Sequence, residues 1–264
     1  MPPILLHIYG PLAIHSFGLM IVIGVLITLH LLHNDTKLQK LISENQLITL
    51  FQLSFIAAIV GGRIWFLITN PYVVEYWTDC FAVWSGGLSV LGAFIATLIT
   101  LTGYLLCIRL PILSILDRIA LYAPLTQSIS RLGCFFAGCC YGQVTCQPWA
   151  IMYTDPNSLA PLHVMLHPTQ LYSSIFLAIN FIVLYSFSKI AKDQKPGQIL
   201  TLYVMLMSLE RFVVDFFRGD REFFHESNFF YNFSIQQFLA FCLFCAALFF
   251  MIIIYWTTKK NESI

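Results

Sequence analysis

Apolar residues along this chain come in long runs separated by short polar stretches. A run of about 20 apolar residues is long enough for an α-helix to cross a bilayer. The period-2 alternation typical of transmembrane β-strands does not occur in the sequence. Seven stretches have a suitable length, at 12–32, 47–69, 86–107, 117–137, 170–188, 198–217 and 235–256. The pattern predicts an all-α polytopic membrane protein with about seven transmembrane helices.

The fourth stretch is the weakest of the seven, because it contains Pro124, Gln127 and Arg131. The segment that follows it, 138–169, has no long apolar run. We therefore expect one transmembrane domain over 1–264, with 138–169 as an external loop or a small cap between spans four and five.

Lysine and arginine are distributed unevenly between the two sides of this predicted topology. Cytoplasmic loops of membrane proteins carry an excess of both residues. The loops after spans one, three and five and the C-terminal tail hold Lys37, Lys40, Arg109, Arg118, Lys189, Lys192, Lys195, Lys259 and Lys260. The other side has only Arg218 and Arg221. The N-terminus is predicted to be external and the C-terminus cytoplasmic.

Composition supports the membrane class. Charged residues make up 10% of the chain and hydrophobic residues 58%, whereas soluble domains carry about 25% charged residues. The mean hydropathy is +0.78. The net charge is +1, so there is no electrostatic case for a nucleic-acid partner.

Four arginines lie in or beside the predicted spans. Arg63, Arg131 and Arg211 lie in the outer halves of spans two, four and six, and Arg218 lies just beyond span six. A charged side chain in hydrocarbon is costly and commonly marks a functional site. The predicted topology puts all four near the external face, which indicates a pocket for an anion. The most abundant anion in a bilayer is a phospholipid head group, and the planar fork of arginine suits its phosphate.

Each arginine also has a structural interpretation. Arg63 could extend to the interface while the neighbouring Gly61-Gly62 pair allows close helix packing. A carbonyl or carboxylate could neutralise Arg131. Arg211 is four residues from Asp215, so these two side chains could form a structural pair on one helical face. Arg218 has no partner at that spacing.

Histidines and cysteines add further candidates. His15 opens span one and His167 precedes span five, where the latter could act as a base or only form local hydrogen bonds. The eight cysteines contain no CxxC pair with a matching second pair, so their spacing gives poor support for a zinc site. A disulfide involving Cys139, Cys140 or Cys146, a catalytic cysteine, and buried apolar thiols all remain open.

Six motifs in a fixed order resemble those of the bacterial prolipoprotein diacylglyceryl transferases. The likeness covers nearly the whole chain, and its densest part resembles the family signature G-R-x-G-N-F-x-N-x-E-x-x-G. The motifs are His15-Ser16-Phe17-Gly18-Leu19-Met20, Gly61-Gly62-Arg63, Trp84-Ser85-Gly86-Gly87-Leu88-Ser89, the segment from Ser130 to Gly142, His167-Pro168-Thr169-Gln170-Leu171-Tyr172, and Asp215-Phe216-Phe217-Arg218.

The resemblance implies an enzyme of the bacterial inner membrane whose active site faces the external side. Its substrates would be phosphatidylglycerol and a preprolipoprotein with a lipobox cysteine, and a diacylglyceryl group would pass to that thiol. The resemblance implies no metal and no organic cofactor. The residues implied in catalysis are Arg131, Arg218 and His167. Those implied in substrate binding are Arg63, Arg131, Arg218, Gly86, Gly87, His15, Gln170 and Tyr172.

Five positions depart from the family pattern. Leu91 replaces a histidine expected near the thiol, and Phe17 replaces an aromatic hydroxyl. Within the signature, Cys134 and Ala137 replace asparagines and Cys139 replaces a glutamate. These changes leave the base open between His15 and His167. Two other interpretations also remain open, namely a divergent paralogue with another phospholipid or acceptor, and a non-enzymatic transporter or lipid-binding protein.

Overall fold

The computed structural model describes residues 3–9, 12–73, 87–191, 194–223 and 233–262. The chain is mostly helical in these ranges, with two short antiparallel β-pairs that the hydropathy pattern did not predict. The helices are α1 (Ser16–His33), α2 (Thr36–Gln39), α3 (Glu44–Thr69), α4 (Val90–Cys107), α5 (Ile112–Ala137), α6 (Thr169–Ile190), α7 (Gln198–Asp215) and α8 (Ile235–Glu262). The strands are β1 (Ile4–Tyr9), β2 (Leu12–His15), β3 (Ile151–Met152) and β4 (Met165–Leu166).

Among the described residues, five helices are long and apolar enough to cross a membrane: α1, α3, α4, α6 and the Ile235–Trp256 part of α8. Helices α5 and α7 coincide with predicted spans four and six but are less apolar, because they contain charged and amide side chains. A polytopic helical membrane protein is thus supported. The count of seven spans and the orientation of the termini stay predictions.

Two compact units divide the chain, one formed by His33–Ile115 and the other by Met1–Leu32 with Leu116–Ile264. In the first unit, Ser43 and Gln46 form a capping box that starts α3, and α3 packs against α4. Gly61 and Gly92 are the closest points of that packing. A Cβ added at Gly92 would overlap the Cβ of Trp65 and the carbonyl oxygen of Gly61.

Polar contacts join the helices of the second unit. The hydroxyl of Ser173 in α6 donates to Glu210 Oε1 in α7 at 2.5 Å. Gln127 Nε2 in α5 donates to the Tyr203 hydroxyl in α7 at 2.8 Å. The start of α7 is held where backbone N–H groups of Gly197 and Leu200 donate to Asp117 in α5. Between helices in lipid the hydrophobic effect contributes little, so close packing and such hydrogen bonds fix their arrangement.

The segment 138–169 folds around a small core of its own. Strands β3 and β4 pair in antiparallel fashion, and Tyr153, Ala160 and Leu166 are buried beside them. The Tyr153 hydroxyl donates to the Phe135 carbonyl at 3.0 Å, which ties this core to α5. The segment thus has a small folded core, and its role as a cap stays a prediction. Its external location, and a single domain over 1–264, stay predictions.

Replacing Gly92 with alanine should weaken the α3–α4 packing, because the added methyl group has no space. Overpacking of this kind costs about 1–3 kcal/mol, so the apparent Tm of the purified protein in detergent should fall. Gly103→Ala is the matched control in the same helix, since nothing lies within 4 Å of a Cβ there. Equal Tm values for the two variants would contradict the close contact.

Candidate active site

Helix α5 ends at a glycine beside the densest motif of the sequence. The N–H of Gly138 donates to the Cys134 carbonyl at 2.9 Å. Gly138 has φ 76°, a left-handed conformation that glycine adopts without steric cost and that commonly ends a helix. Gly133 does not break the helix. A Cβ there would lie 3.0 Å from Met20 Cβ and 3.1 Å from the Phe17 backbone, so Gly133 allows α1 to approach α5.

Four backbone hydrogen bonds bring three distant segments together around Gly142, and we call this arrangement the Gly142 junction. Gly142 donates to the His167 carbonyl at 3.0 Å, and His167 donates to Gln143 at 3.0 Å. Gln143 donates to Phe217 at 2.8 Å, and Gly219 donates to Tyr141 at 3.1 Å. A Cβ at Gly142 would lie only 2.5 Å from His167 Cβ. The junction fixes the position of the segments that carry His167 and Arg218.

Arg218 lies on the side of the junction formed by the end of α7. Arg218 is buried, with 8% of its surface exposed. Nε donates to Asp220 Oδ1 at 2.8 Å and Nη2 to Asp220 Oδ2 at 2.6 Å, which is a bidentate fork. Burial disfavours the charged guanidinium, but the hydrogen bond with Asp220 and the electrostatic effect of the neighbouring Cys140 and Asp220 outweigh it and raise the pKa of Arg218. Arg218 is therefore a permanent cation in a partly desolvated place.

Arg131 is a half-buried cation of another kind. Among the described residues, no hydrogen bond or ion pair joins Arg131 to a neighbour. Its charge acts on the thiols of Cys134 and Cys140 and on Arg211, which also experiences the charge of Arg218. The carboxylates of Asp215 and Glu210 also act on Arg211. Arg131 itself has no carboxylate partner among the described residues, so its charge favours binding of an anion.

His167 lies in an aromatic cluster next to the junction. Its Nδ1 is 3.1 Å from the Tyr172 hydroxyl, and the same hydroxyl accepts a 2.7 Å hydrogen bond from Trp149 Nε1. The Phe217 ring packs edge-on against His167, with the centroids 5.4 Å apart. The direction of the contact with Tyr172 depends on the imidazole tautomer. In the tautomer with the proton on Nδ1, the imidazole donates to the Tyr172 oxygen and Nε2 keeps the lone pair that a base needs.

The same motif also holds the loop after α5. Thr169 Oγ1 donates to the Cys140 carbonyl at 2.7 Å. Gln170, 1% exposed, donates from Nε2 to the Cys139 carbonyl at 2.7 Å and to the Tyr153 hydroxyl at 3.3 Å. The sequence assigns Gln170 to substrate binding, but its amide nitrogen is occupied in positioning this loop.

Three cysteines meet where α5 ends. The sulfur atoms of Cys134, Cys139 and Cys140 all lie within 4.8 Å of one another. Hydrogen bonds from the other two thiols, and then the positive charges of Arg218 and Arg131, lower the pKa of Cys140. Hydrogen bonds to Cys134 and Cys140, together with burial, raise the pKa of Cys139. The sequence spacing did not predict this cluster.

The remaining predicted site residues belong to other parts of the chain. Arg63 and Gly87 belong to the His33–Ile115 unit, where Arg63 Nη1 donates to the Gly87 carbonyl at 3.1 Å and the guanidinium lies over the Phe66 ring at 5.5 Å. Gly86 lies outside the described residues. His15 is exposed at the end of β2. Substrate binding by these four residues stays a prediction.

The pairing of Arg211 with Asp215 suggested by their spacing is not formed. Asp215 is 1% exposed and accepts hydrogen bonds from Arg221 Nε at 3.2 Å and from Ser234 Oγ at 2.5 Å. Arg221 also donates to Gln237 Oε1 at 2.8 Å. Helical spacing makes the pair with Arg211 possible, but Arg221, after the end of α7, and Ser234, just before α8, supply the partners instead. Sequence analysis missed this group because neither residue lies at a helical spacing from Asp215.

The family model for prolipoprotein diacylglyceryl transferase matches residues 3–253. This chain belongs to the prolipoprotein diacylglyceryl transferase family. That membership agrees with the resemblance seen in the motifs, and it covers both compact units of the fold.

Two clostridial relatives share about a third of their residues with this chain. A phosphatidylglycerol–prolipoprotein diacylglyceryl transferase of Clostridium tetani (strain Massachusetts / E88) is 34% identical over 224 residues, which is 83% of this chain and 86% of the relative. The protein named phosphatidylglycerol–prolipoprotein diacylglyceryl transferase 2 of Clostridium perfringens (strain 13 / Type A) is 33% identical over 217 residues, or 81% and 82%. A transferase of the same name from Streptococcus equi subsp. zooepidemicus (strain MGCS10565) is 28% identical over 219 residues, or 80% and 82%.

Within this transferase fold, Arg221 and Arg211 should respond differently to replacement by glutamine. Arg221→Gln leaves the buried Asp215 carboxylate without its cation, and breaking a buried ion pair costs about 3–5 kcal/mol. Thermal unfolding of the purified protein should show a clear loss of stability. Arg211→Gln is the matched control and should cost much less, because no ion pair is removed. A larger loss for Arg211→Gln would contradict the observed pairing.

Proposed function

We propose that this chain transfers a diacylglyceryl group from phosphatidylglycerol to the lipobox cysteine of a preprolipoprotein. The cysteine sulfur attacks the glyceryl carbon that carries the phosphoester. A carbon–sulfur bond forms as the carbon–oxygen bond breaks, and glycerol phosphate leaves with the electron pair. The thiol proton passes to a base and then to solvent. The products are a thioether-linked diacylglyceryl peptide and glycerol phosphate.

The gathering of Arg131 and Arg218 carries this proposal. A phosphate leaving group gains negative charge as the carbon–oxygen bond breaks. Preorganised cations at that place lower the barrier, because they stabilise the transition state more than the ground state. Arg131 has no carboxylate partner in the described residues. It is the better placed of the two to receive the phosphate directly.

Arg218 retains donors for a phosphate although Asp220 occupies one edge of its guanidinium. An arginine has five N–H donors, and the fork with Asp220 uses Nε and Nη2. The Nη1 donors remain outside that fork. Asp220 is half exposed, with a side-chain exposure of 46%, so the ion pair can orient Arg218 without excluding a second anion.

His167 is the base that we favour over His15. Its imidazole is half-buried, oriented by Tyr172 and carried by the Gly142 junction beside Arg218. His15 is exposed and has no comparable positioning contact in the described residues. A general base must lie close to the proton that it removes, and proximity to the phosphate site favours His167. The resemblance implies that Leu91 stands where the family often has a histidine, so His167 would have to supply this function.

The topology of the proposal follows from the charge distribution. Seven long helices coincide with the seven predicted spans, and the nine basic loop and tail residues favour a cytoplasmic C-terminus. We propose seven spans in the bacterial inner membrane, with Arg131, Arg218 and His167 towards the external face. A lipid donor would reach them from the outer leaflet.

An assay with purified protein, phosphatidylglycerol and a lipobox peptide tests the reaction. The peptide should gain the mass of one diacylglyceryl group, and replacing its cysteine with serine should abolish the gain. Phosphatidylethanolamine and cardiolipin serve as parallel donors. A gain with one of these lipids and none with phosphatidylglycerol would favour the paralogue interpretation. No gain with any donor, from folded protein, would refute transfer.

Replacing Arg131 or Arg218 with glutamine should reduce transfer by about 100-fold or more, as expected when a donor to a developing negative charge is lost. The amount of protein in the membrane should stay unchanged. Arg109→Gln is the control, because Arg109 is exposed in the loop between α4 and α5. Full activity of either site variant would contradict the role of the two arginines.

Replacing His167 with asparagine should lower kcat by about 100-fold or more near neutral pH, because the thiol loses its base. The activity should recover as the pH rises past about 8.5, where a cysteine thiol ionises without help. His163→Asn is the matched control, since His163 is exposed on the cap and has φ 59°, which asparagine tolerates. A loss that is equal at every pH would assign His167 a structural role.

A further inference from the structure

The thiol cluster at the end of α5 is not used by the proposed reaction. Cys134 lies in the last turn-and-a-half of α5, and Cys139 and Cys140 follow Gly138. Their sulfur atoms lie within 4.8 Å of one another, close enough for one ion to contact all three. Among the described residues, these three cysteines form the one group of three or more potential metal ligands that lie close together. Three sulfur donors are soft ligands, which select thiophilic metals over Mg²⁺ or Ca²⁺.

The loop that carries two of these thiols is held firmly. Gln170 and Thr169 donate to the carbonyl groups of Cys139 and Cys140 at 2.7 Å each. Cys140 has φ 57°, a left-handed conformation that is uncommon outside glycine. A site whose ligands are already positioned binds a metal with less loss of conformational freedom.

An unpartnered oxygen lies on one of the residues that hold the loop. Gln170 is 1% exposed, and its Oε1 has no hydrogen-bond partner in the structure. Its Nε2 contacts the Cys139 carbonyl, so the amide lies against the backbone of the cluster. A buried acceptor without a partner is costly, so this amide next to the loop of Cys139 has an acceptor that a ligand of the loop could use.

We propose that Cys134, Cys139 and Cys140 bind one thiophilic divalent d¹⁰ metal ion of the Zn²⁺ class. On binding, each thiol releases its proton to solvent and forms one sulfur–metal bond, with no change of oxidation state. Three protein ligands leave a fourth position for water or an amide oxygen. The ion would fasten the end of α5 to the loop that leads into the Gly142 junction.

Cadmium is the probe for the test, since its bonds to thiolates give a charge-transfer absorption in the ultraviolet. The reduced, chelator-treated full-length protein in detergent is titrated with Cd²⁺, and the bound metal is counted by plasma mass spectrometry. One ion per chain is expected, together with a higher apparent Tm in the presence of Cd²⁺ or Zn²⁺. Reduced protein that binds no ion at micromolar concentrations would overturn the proposal.

Variants locate the site. Cys139→Ser and Cys140→Ser should each weaken binding about 100-fold or more, since ligand loss exceeds the 10–100-fold effect typical of residues that only orient a ligand. Cys242→Ser and Cys245→Ser in α8 are the matched controls and should bind as the unmodified chain does. Equal weakening by the α8 variants would overturn the assignment.

Alkylation of the unmodified chain gives a test that does not depend on variant folding. Bound Cd²⁺ should protect Cys134, Cys139 and Cys140 from iodoacetamide while the exposed Cys146 reacts at an unchanged rate. Peptide mapping by mass spectrometry reads each cysteine separately. Protection that is absent at these three cysteines, or that extends equally to Cys146, would overturn the proposal. All of these measurements are independent of diacylglyceryl transfer.

Discussion

The Gly142 junction is the constraint on which the candidate site depends. Four backbone hydrogen bonds link the segments around Gly142, His167 and Arg218, which are separated by 25 and 51 residues in the sequence. Only a residue without a side chain fits where Gly142 passes His167. Backbone hydrogen bonds are made regardless of side-chain identity, so they fix this arrangement while leaving the side chains available for chemistry. Arg218 and His167 are close because of this junction.

Two ion pairs at the end of α7 differ in their burial, and this difference separates a structural role from a role in the chemistry. Asp215 is buried and satisfied by Arg221 and Ser234, whereas Arg218 is held by the half-exposed Asp220. The first group stabilises the contact of α7 with α8. The second leaves a cation whose partner is accessible to solvent. Arg131 has no carboxylate partner in the described residues, so its positive charge is also available to a ligand.

The altered signature changes the character of the site without removing its cations. Cysteine stands where the family pattern has an asparagine and a glutamate, at positions 134 and 139. The structure joins both to Cys140 in one cluster. Two polar side chains of the family pattern are thus replaced by soft sulfur ligands.

The sequence by itself determined the helical membrane class, the approximate bounds of the long helices and the arginines of interest. These follow from local hydropathy and from the high cost of charge in an apolar segment, so they can be read along the chain. The tertiary structure decided which charges pair and which thiols meet. Spacing suggested Arg211 for Asp215, and the fold supplied Arg221 instead. Asp215 and Arg221 are only six residues apart and the three thiols lie within seven residues, but the turns that follow α7 and α5 decide which of these side chains meet. The Gly142 junction joins segments that are far apart in sequence, and only the packing of the helices brings those segments within hydrogen-bond range.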